Sequence, residues 1–300
     1  MFSDHFWLET TFLAFFLYGI GQGLLKQYVG DVSAYRFCLY AVPTYFLADA
    51  VFYLLYMPSP NPFAAEGRQF MYYALTLCLL EGVAYVCYYE SIAGGLISIV
   101  GTVSAAYPAV TVVYAYFILD ETLSTKQYIG VFMVIAGCIG IAYEPSDPDQ
   151  KVSKRRVLGM PVWFLQALIA ALGWGIGAGM TRYAFEYTEN ASEGNMALFG
   201  FIGYCLPLAV YGAYKEKDWK FPKRQMALAF TPLMMIAIGD VILIISYKYG
   251  LASIVTPVSG AYPALTIVYA FFVLKEKLTP LQWVFVTIIF VGMLMAPGAE

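Results

Sequence analysis

The sequence predicts an all-α membrane protein of ten transmembrane helices, built as two inverted five-helix repeats. Three observations carry that prediction. The chain of 300 residues is 61% hydrophobic and only 12% charged, whereas soluble domains average about 45–50% apolar and about 25% charged. Its apolar runs recur along the whole length and are about as long as the 20 residues a helix needs to cross the hydrocarbon core. The chain also repeats itself. Gly95 to Ser124, GLISIVGTVSAAYPAVTVVYAYFILDETLS, and Gly250 to Thr279, GLASIVTPVSGAYPALTIVYAFFVLKEKLT, align without a gap and are identical at 19 of 30 positions.

The spans fall near 7–28, 33–56, 70–91, 97–118 and 127–144, then 160–183, 195–214, 227–248, 252–273 and 281–297. They are continuous and show no alternation of period two, so helices are expected in place of barrel strands. The first span carries Gly19-Ile20-Gly21-Gln22-Gly23, and the sixth answers with Gly175-Ile176-Gly177-Ala178-Gly179. Glycines four apart let helix backbones approach closely. A phosphate loop is excluded, because no strand precedes either motif. Tyr18 then corresponds to Trp174, and Lys26 to Arg182. The fourth span matches the ninth, and the fifth matches the tenth through Gly137 and Gly292.

Between the copies runs the one long polar stretch, PSDPDQKVSKRR from Pro145 to Arg156, whose prolines and charges mark a linker. The expected units are residues 1–144, a linker over 145–159, and residues 160–300. Five spans per unit is an odd number, so the second copy enters the membrane upside down. That arrangement places a shared cavity near the bilayer midplane. With flanking residues assigned to the nearest loop, the linker face holds 13 Lys and Arg and the opposite face only Arg68, Lys126, Arg182 and Lys248. The positive-inside rule puts the linker in the cytoplasm and both termini outside. The N-terminus lacks a basic leader and a small-residue cleavage site, so the first helix is expected to be retained.

Composition also excludes several function classes. A net charge of -3 with no basic face argues against a nucleic-acid partner. The five cysteines lie inside apolar runs without a CxxC pair, which implies packing and no disulfide framework. His5 is the single histidine, and no metal-ligand cluster, Ser-His-Asp set or HExxH motif is present. Neither an enzyme nor a bound cofactor or metal is expected. Asn190-Ala191-Ser192 matches a glycosylation sequon, a weak signal.

The paired SAAYPAVTVVYAYFILDETLS and SGAYPALTIVYAFFVLKEKLT stretches, the GIGQG and GIGAG helices, Glu121 and Glu276 after the fourth and ninth spans, and the mid-span glycine that follows together resemble the ten-helix, EamA-like members of the drug/metabolite transporter superfamily. That resemblance covers nearly the whole chain. It implies a transporter of small molecules with a cavity lined by spans one, three, four, six, eight and nine, and with the second span at the cavity edge. It also implies termini in the cytoplasm, the reverse of the charge count, which we weight more heavily. Relatives that carry phosphorylated sugars would place cations at mid-span in helices four, six or nine. This chain has none there, which disfavours an anionic substrate.

Carboxylates within the bilayer mark function, since each costs about 2.5–3.5 kcal/mol at a helix centre on insertion scales. Glu81 and Asp240 lie mid-span in the third and eighth helices. They are the expected counter-charge for a cationic substrate, or the group that takes a coupling proton or sodium ion. The repeat sets Asp240 opposite Tyr85, one turn from Glu81, so the halves share a scaffold and differ in central chemistry. Asp49 is a third mid-span acid, whereas Glu90 sits near a helix end and reads as structural. Aromatic rings at the same level, Tyr18, Trp174, Tyr85, Tyr89, Tyr107 and Tyr262, are candidate walls for an organic cation. Ser104 and Ser259 are candidate polar contacts beside Pro108, Pro257 and Pro263, which free backbone carbonyls and are candidate hinges. The expected activity is alternating-access transport of a small amine, quaternary ammonium compound or amino acid. Export of neutral or lipophilic drugs, with the acids used for proton coupling, and a non-transporting membrane sensor are the alternatives. The expected location is a prokaryotic plasma membrane, with lipid as surroundings.

Overall fold

Lipid offers no hydrogen bonds to a peptide group, so apolar runs of this length fold as helices that satisfy their own backbone. The computed structural model describes residues 5–29, 34–56, 60–95, 97–142, 153–217, 222–275 and 277–297. The first half contains α1 (Phe6–Val29), α2 (Ala34–Leu55), α3 (Arg68–Gly94), α4 (Ile97–Ser104), α5 (Tyr107–Ile118) and α6 (Thr125–Ala142). A hairpin of β1 (Arg156–Val157) and β2 (Met160–Pro161) follows. The second half contains α7 (Val162–Tyr187), α8 (Glu193–Lys215), α9 (Lys223–Tyr249), α10 (Ala252–Gly260), α11 (Tyr262–Phe272) and α12 (Pro280–Met295). Nine of the resulting spans are at least 18 residues long, and α12 is a shorter apolar tenth.

The fourth and ninth spans are each interrupted at the same place. The α4–α5 break lies at Ala105-Ala106, before Tyr107-Pro108, and the α10–α11 break at Ala261, before Tyr262-Pro263. Proline at the second position of the new helix needs no backbone donor there, which is why the restart is tolerated. Pro257 sits inside α10 and does not end it.

The two halves exchange equivalent contacts. Helix α1 packs along α9 and α11, and its repeat partner α7 packs along α3 and α5. The pairs α2 with α8 and α6 with α12 each cross the pseudo-two-fold axis. Individual atoms obey the same rule. Thr266 Oγ1 donates to the Gly19 carbonyl at 3.1 Å, and Thr111 Oγ1 donates to the Gly175 carbonyl at 2.9 Å. A Cβ at Gly19 would lie 2.6 Å from Leu265 Cβ, and one at Gly175 would lie 2.5 Å from Val110 Cβ. The predicted small-residue stripes are therefore closely packed joints between opposite halves. Many of the remaining large apolar side chains face outward, among them Leu54, Phe117, Phe132 and Leu294. In water that surface would be costly, but against lipid tails it is the expected finish.

Polar contacts close the two ends. At the terminal face, Glu121 of the first half accepts from the backbone N–H groups of Ala252 and Ser253, both at 2.9 Å, and from Ser253 Oγ at 2.5 Å. Its carboxylate thus caps the N-terminus of α10 in the other half, where a negative charge complements the helix dipole. The repeat equivalent, Glu276, lies outside the described residues. Arg182 donates to the Tyr247 and Lys248 carbonyls at the end of α9 and pairs with Glu186 at 3.0 Å. At the linker face, Arg36 meets Glu216 at 2.6 Å and Lys215 meets Glu90 at 2.7 Å, both across the halves. Glu90 is therefore a surface ion-pair partner.

Candidate functional site

Helices α1, α2, α3, α7 and α9 bring a cluster of acids and aromatic rings to the middle of the bundle. Asp240 on α9 accepts a short hydrogen bond from the Tyr18 hydroxyl of α1. Its other oxygen accepts from the Tyr45 hydroxyl of α2 at 2.6 Å. Two phenol donors hold this carboxylate in a fixed orientation while leaving it partly accessible. Glu81 on α3 is also partly accessible, lies within electrostatic reach of Asp240, and has no hydrogen-bond partner among the described residues. It rests against Gly177 of α7, where a Cβ would come within 2.7 Å of its Oε1, so that glycine makes room for the acid. At the repeat-equivalent contact, Gly21 faces Ile236. The same joint is apolar in one half and acidic in the other.

The rings form two related groups. Tyr18 meets Tyr262 edge-on with centroids 5.7 Å apart. Trp174 meets Tyr107 edge-on at 6.0 Å, which is the repeat counterpart of that pair. Around Trp174 the symmetry ends, because Tyr85 and Tyr88 each stand 5.1 Å from it. Tyr89 stacks beyond Tyr85 at 6.4 Å and touches Phe37 at 5.9 Å. The Trp174 indole N–H is buried and has no acceptor among the described residues. The described Lys and Arg side chains that form ion pairs do so near the span ends, and none contacts Glu81 or Asp240. Two carboxylates, aromatic faces and one idle donor, without a competing cation, suit an ammonium group that also bears an oxygen acceptor. Among the described residues, no group of three His, Cys, Asp or Glu could hold a metal ion.

The structure thus brings together Glu81, Asp240, Tyr18, Trp174, Tyr85, Tyr89, Tyr107 and Tyr262. The hydroxyls of Ser104 and Ser259 are engaged within their own helices, Ser104 with the Val100 and Gly101 carbonyls and Ser259 with those of Val255 and Thr256. They serve the helix ends beside the breaks. Asp49 is only 1% exposed, and the Tyr204 hydroxyl donates to both its oxygens at 3.0 and 3.2 Å. The Tyr204 ring stands 5.0 Å from Tyr45, so Asp49 adjoins the cluster through two tyrosines. Tyr45 and Tyr204 were not expected. Tyr45 lies one helical turn before Asp49, a spacing that puts both on one face of α2 and could have signalled it.

A solved crystal structure superposes on this chain with a TM-score of 0.73, covering 96% of this chain and 94% of its own, at 16% sequence identity, which speaks to the fold alone. An uncharacterized protein of Methanocaldococcus jannaschii is 27% identical over 139 residues, which is 96% of that protein and 45% of this one. Its whole length therefore corresponds to about one half of the present chain. The model of the EamA-like transporter family matches twice, over residues 5–143 and again over 161–296. With both halves matched and nine long apolar helices among the described residues, this integral membrane protein belongs to the EamA-like transporter family.

Proposed function

We propose that the protein is a secondary transporter that carries a small organic cation or zwitterion by alternating access, using the central acid and aromatic cluster as its binding site. The substrate class is an amine, a quaternary ammonium compound or an amino acid. One observation carries this reading: Glu81 stands deep in the bundle, partly accessible, beside a second acid and without a hydrogen-bond partner among the described residues. A carboxylate left so in lipid is costly unless a cation or proton arrives to meet it. The idle Trp174 N–H supports a substrate with an acceptor, as in an amino acid. Residues 1–144 and 160–300 are the moving units, and the breaks before Pro108 and Pro263 are where they flex. Pro257, inside an unbroken α10, is a lesser hinge candidate. The location we assign is a prokaryotic plasma membrane with the linker in the cytoplasm, on the positive-inside count.

Calorimetry of the purified protein with choline-like and amino-acid ligands tests the assignment. Glu81→Gln and Asp240→Asn are each expected to weaken binding at least about tenfold, equivalent to ~1.4 kcal/mol. Unchanged affinity in both variants overturns it. A second reading rests on Asp240 being satisfied by Tyr18 and Tyr45 already. In that reading the acids exchange a coupling proton while a neutral or lipophilic compound is exported. Proteoliposome flux of neutral compounds that follows a pH gradient, with no amine flux, selects it. Flux of no compound in either class favours a sensor.

A further inference from the structure

At the linker face a hollow of about 450 Å3 is lined by Ser153, Lys154, Arg156, Pro161 and Trp163. It shares no residue with the central cluster. Two cations at that face are matched, Arg36 by Glu216 and Lys215 by Glu90. Lys154 and Arg156 are exposed and have no ion-pair partner among the described residues. Trp163 differs from them, being only 6% exposed, and its indole N–H is buried with no acceptor among the described residues. A buried donor left this way is destabilising until something accepts from it.

The backbone around the hollow is held firmly. Ser153 N–H donates to the Gly94 carbonyl at the end of α3 at 2.9 Å, and Val162 N–H donates to the Arg155 carbonyl at 3.0 Å. The Trp163 ring lies against Gly95, where a Cβ would fall 2.5 Å from it. Helix α7 starts beside the hollow with Pro161 as its first flanking residue and with no side-chain cap, so beyond the Val162 N–H held by the Arg155 carbonyl no side chain answers the positive end of its dipole. Two cations without an ion-pair partner among the described residues, the ring of Trp163 with its idle N–H and the start of α7 thus border one cavity.

We propose that this hollow binds the phosphate of an anionic phospholipid. The chemistry required is a phosphate oxyanion, which Arg and Lys side chains and a helix N-terminus both recognise. The source is the bilayer, for two reasons. Trp163 and Phe164 stand at the start of a span, where paired aromatic rings meet the headgroups. The linker face also carries most of the chain's Lys and Arg, the pattern that attracts anionic lipid. Bound there, the headgroup joins the hairpin to the ends of α3 and α7, the helices that carry Glu81 and Trp174.

Native mass spectrometry and thermal unfolding of the full chain test this in three parallel arms: phosphatidylglycerol, phosphatidylcholine and inorganic phosphate. Retained lipid and a raised Tm are expected with phosphatidylglycerol and not with phosphatidylcholine. The Lys154→Gln, Arg156→Gln double variant, whose altered side chains are both exposed, is expected to lose at least about two thirds of the retained phosphatidylglycerol, and added salt to act likewise. Trp163→Phe, which removes the N–H together with part of the ring, is expected to lose part of it. Equal retention of the two lipids, or a double variant indistinguishable from the parent, overturns the site. A Tm raised by inorganic phosphate but not by phosphatidylglycerol overturns the lipid as its ligand.

Discussion

Tyrosine hydroxyls orient the acids of this protein, and each bond has a measurable counterpart. Tyr204 is the one donor to Asp49 among the described residues, and Asp49 is almost fully enclosed. Tyr204→Phe is therefore expected to lower stability by about 1–3 kcal/mol, the cost of an unsatisfied buried polar group. Adding Asp49→Leu to that variant removes both partners and is expected to restore most of the loss. Thermal unfolding of the two variants decides it, and a double variant less stable than the single one contradicts the argument. Tyr45→Phe leaves Asp240 with Tyr18 alone and is expected to weaken ligand binding several-fold in the same calorimetric assay. At this scale the sequence was half legible. Glu81 and Asp240 announced themselves as charges within lipid. Tyr45, Tyr204 and the orphaned Trp174 donor did not, because one tyrosine among 26 is singled out only by which helix it faces.

The helices themselves were the most legible part, since length and apolarity nearly suffice to define a span in lipid. Their ends were harder to read. Glu121 reads in the sequence as a family mark after the fourth span, yet in the fold it caps α10, whose first residues lie 131 and 132 positions further along. Local patterns cannot reveal a cap supplied from that distance. Glu121→Ala removes three hydrogen bonds to an ionised acceptor and uncovers a helix start, and a loss of at least about 2 kcal/mol is expected. Glu121→Gln keeps an acceptor but no charge and should fall between Ala and the parent in Tm. Ser104 and Ser259 show the opposite case, in which the partners are local. Their position beside the prolines suggested cavity contacts, whereas polar side chains near a broken helix first satisfy the carbonyls of their own turn.

For the whole molecule, the arrangement of opposed halves fixes which loops share a side. Phe63, between α2 and α3, and Leu158, in the β1–β2 turn, are both well exposed and belong to opposite faces. Single Phe63→Cys and Leu158→Cys variants, in a background whose five native cysteines are replaced, are expected to react with an impermeant thiol reagent from opposite sides of sealed vesicles. Reaction from one common side sinks the topology. The duplicated joints also predict matched damage. Gly19→Val and Gly175→Val drive a side chain into Leu265 and Val110 respectively, and each is expected to cost about 1–3 kcal/mol or more through overpacking. The reciprocity of those joints reaches further. A five-span ancestor the size of the archaeal relative could have built this bundle by pairing with a copy of itself. Such a chain must insert in both orientations at once, which an uneven distribution of Lys and Arg would forbid. The lopsided cations of the present chain, 13 on one face against four on the other, are open to it because its two halves are joined and each keeps a single direction.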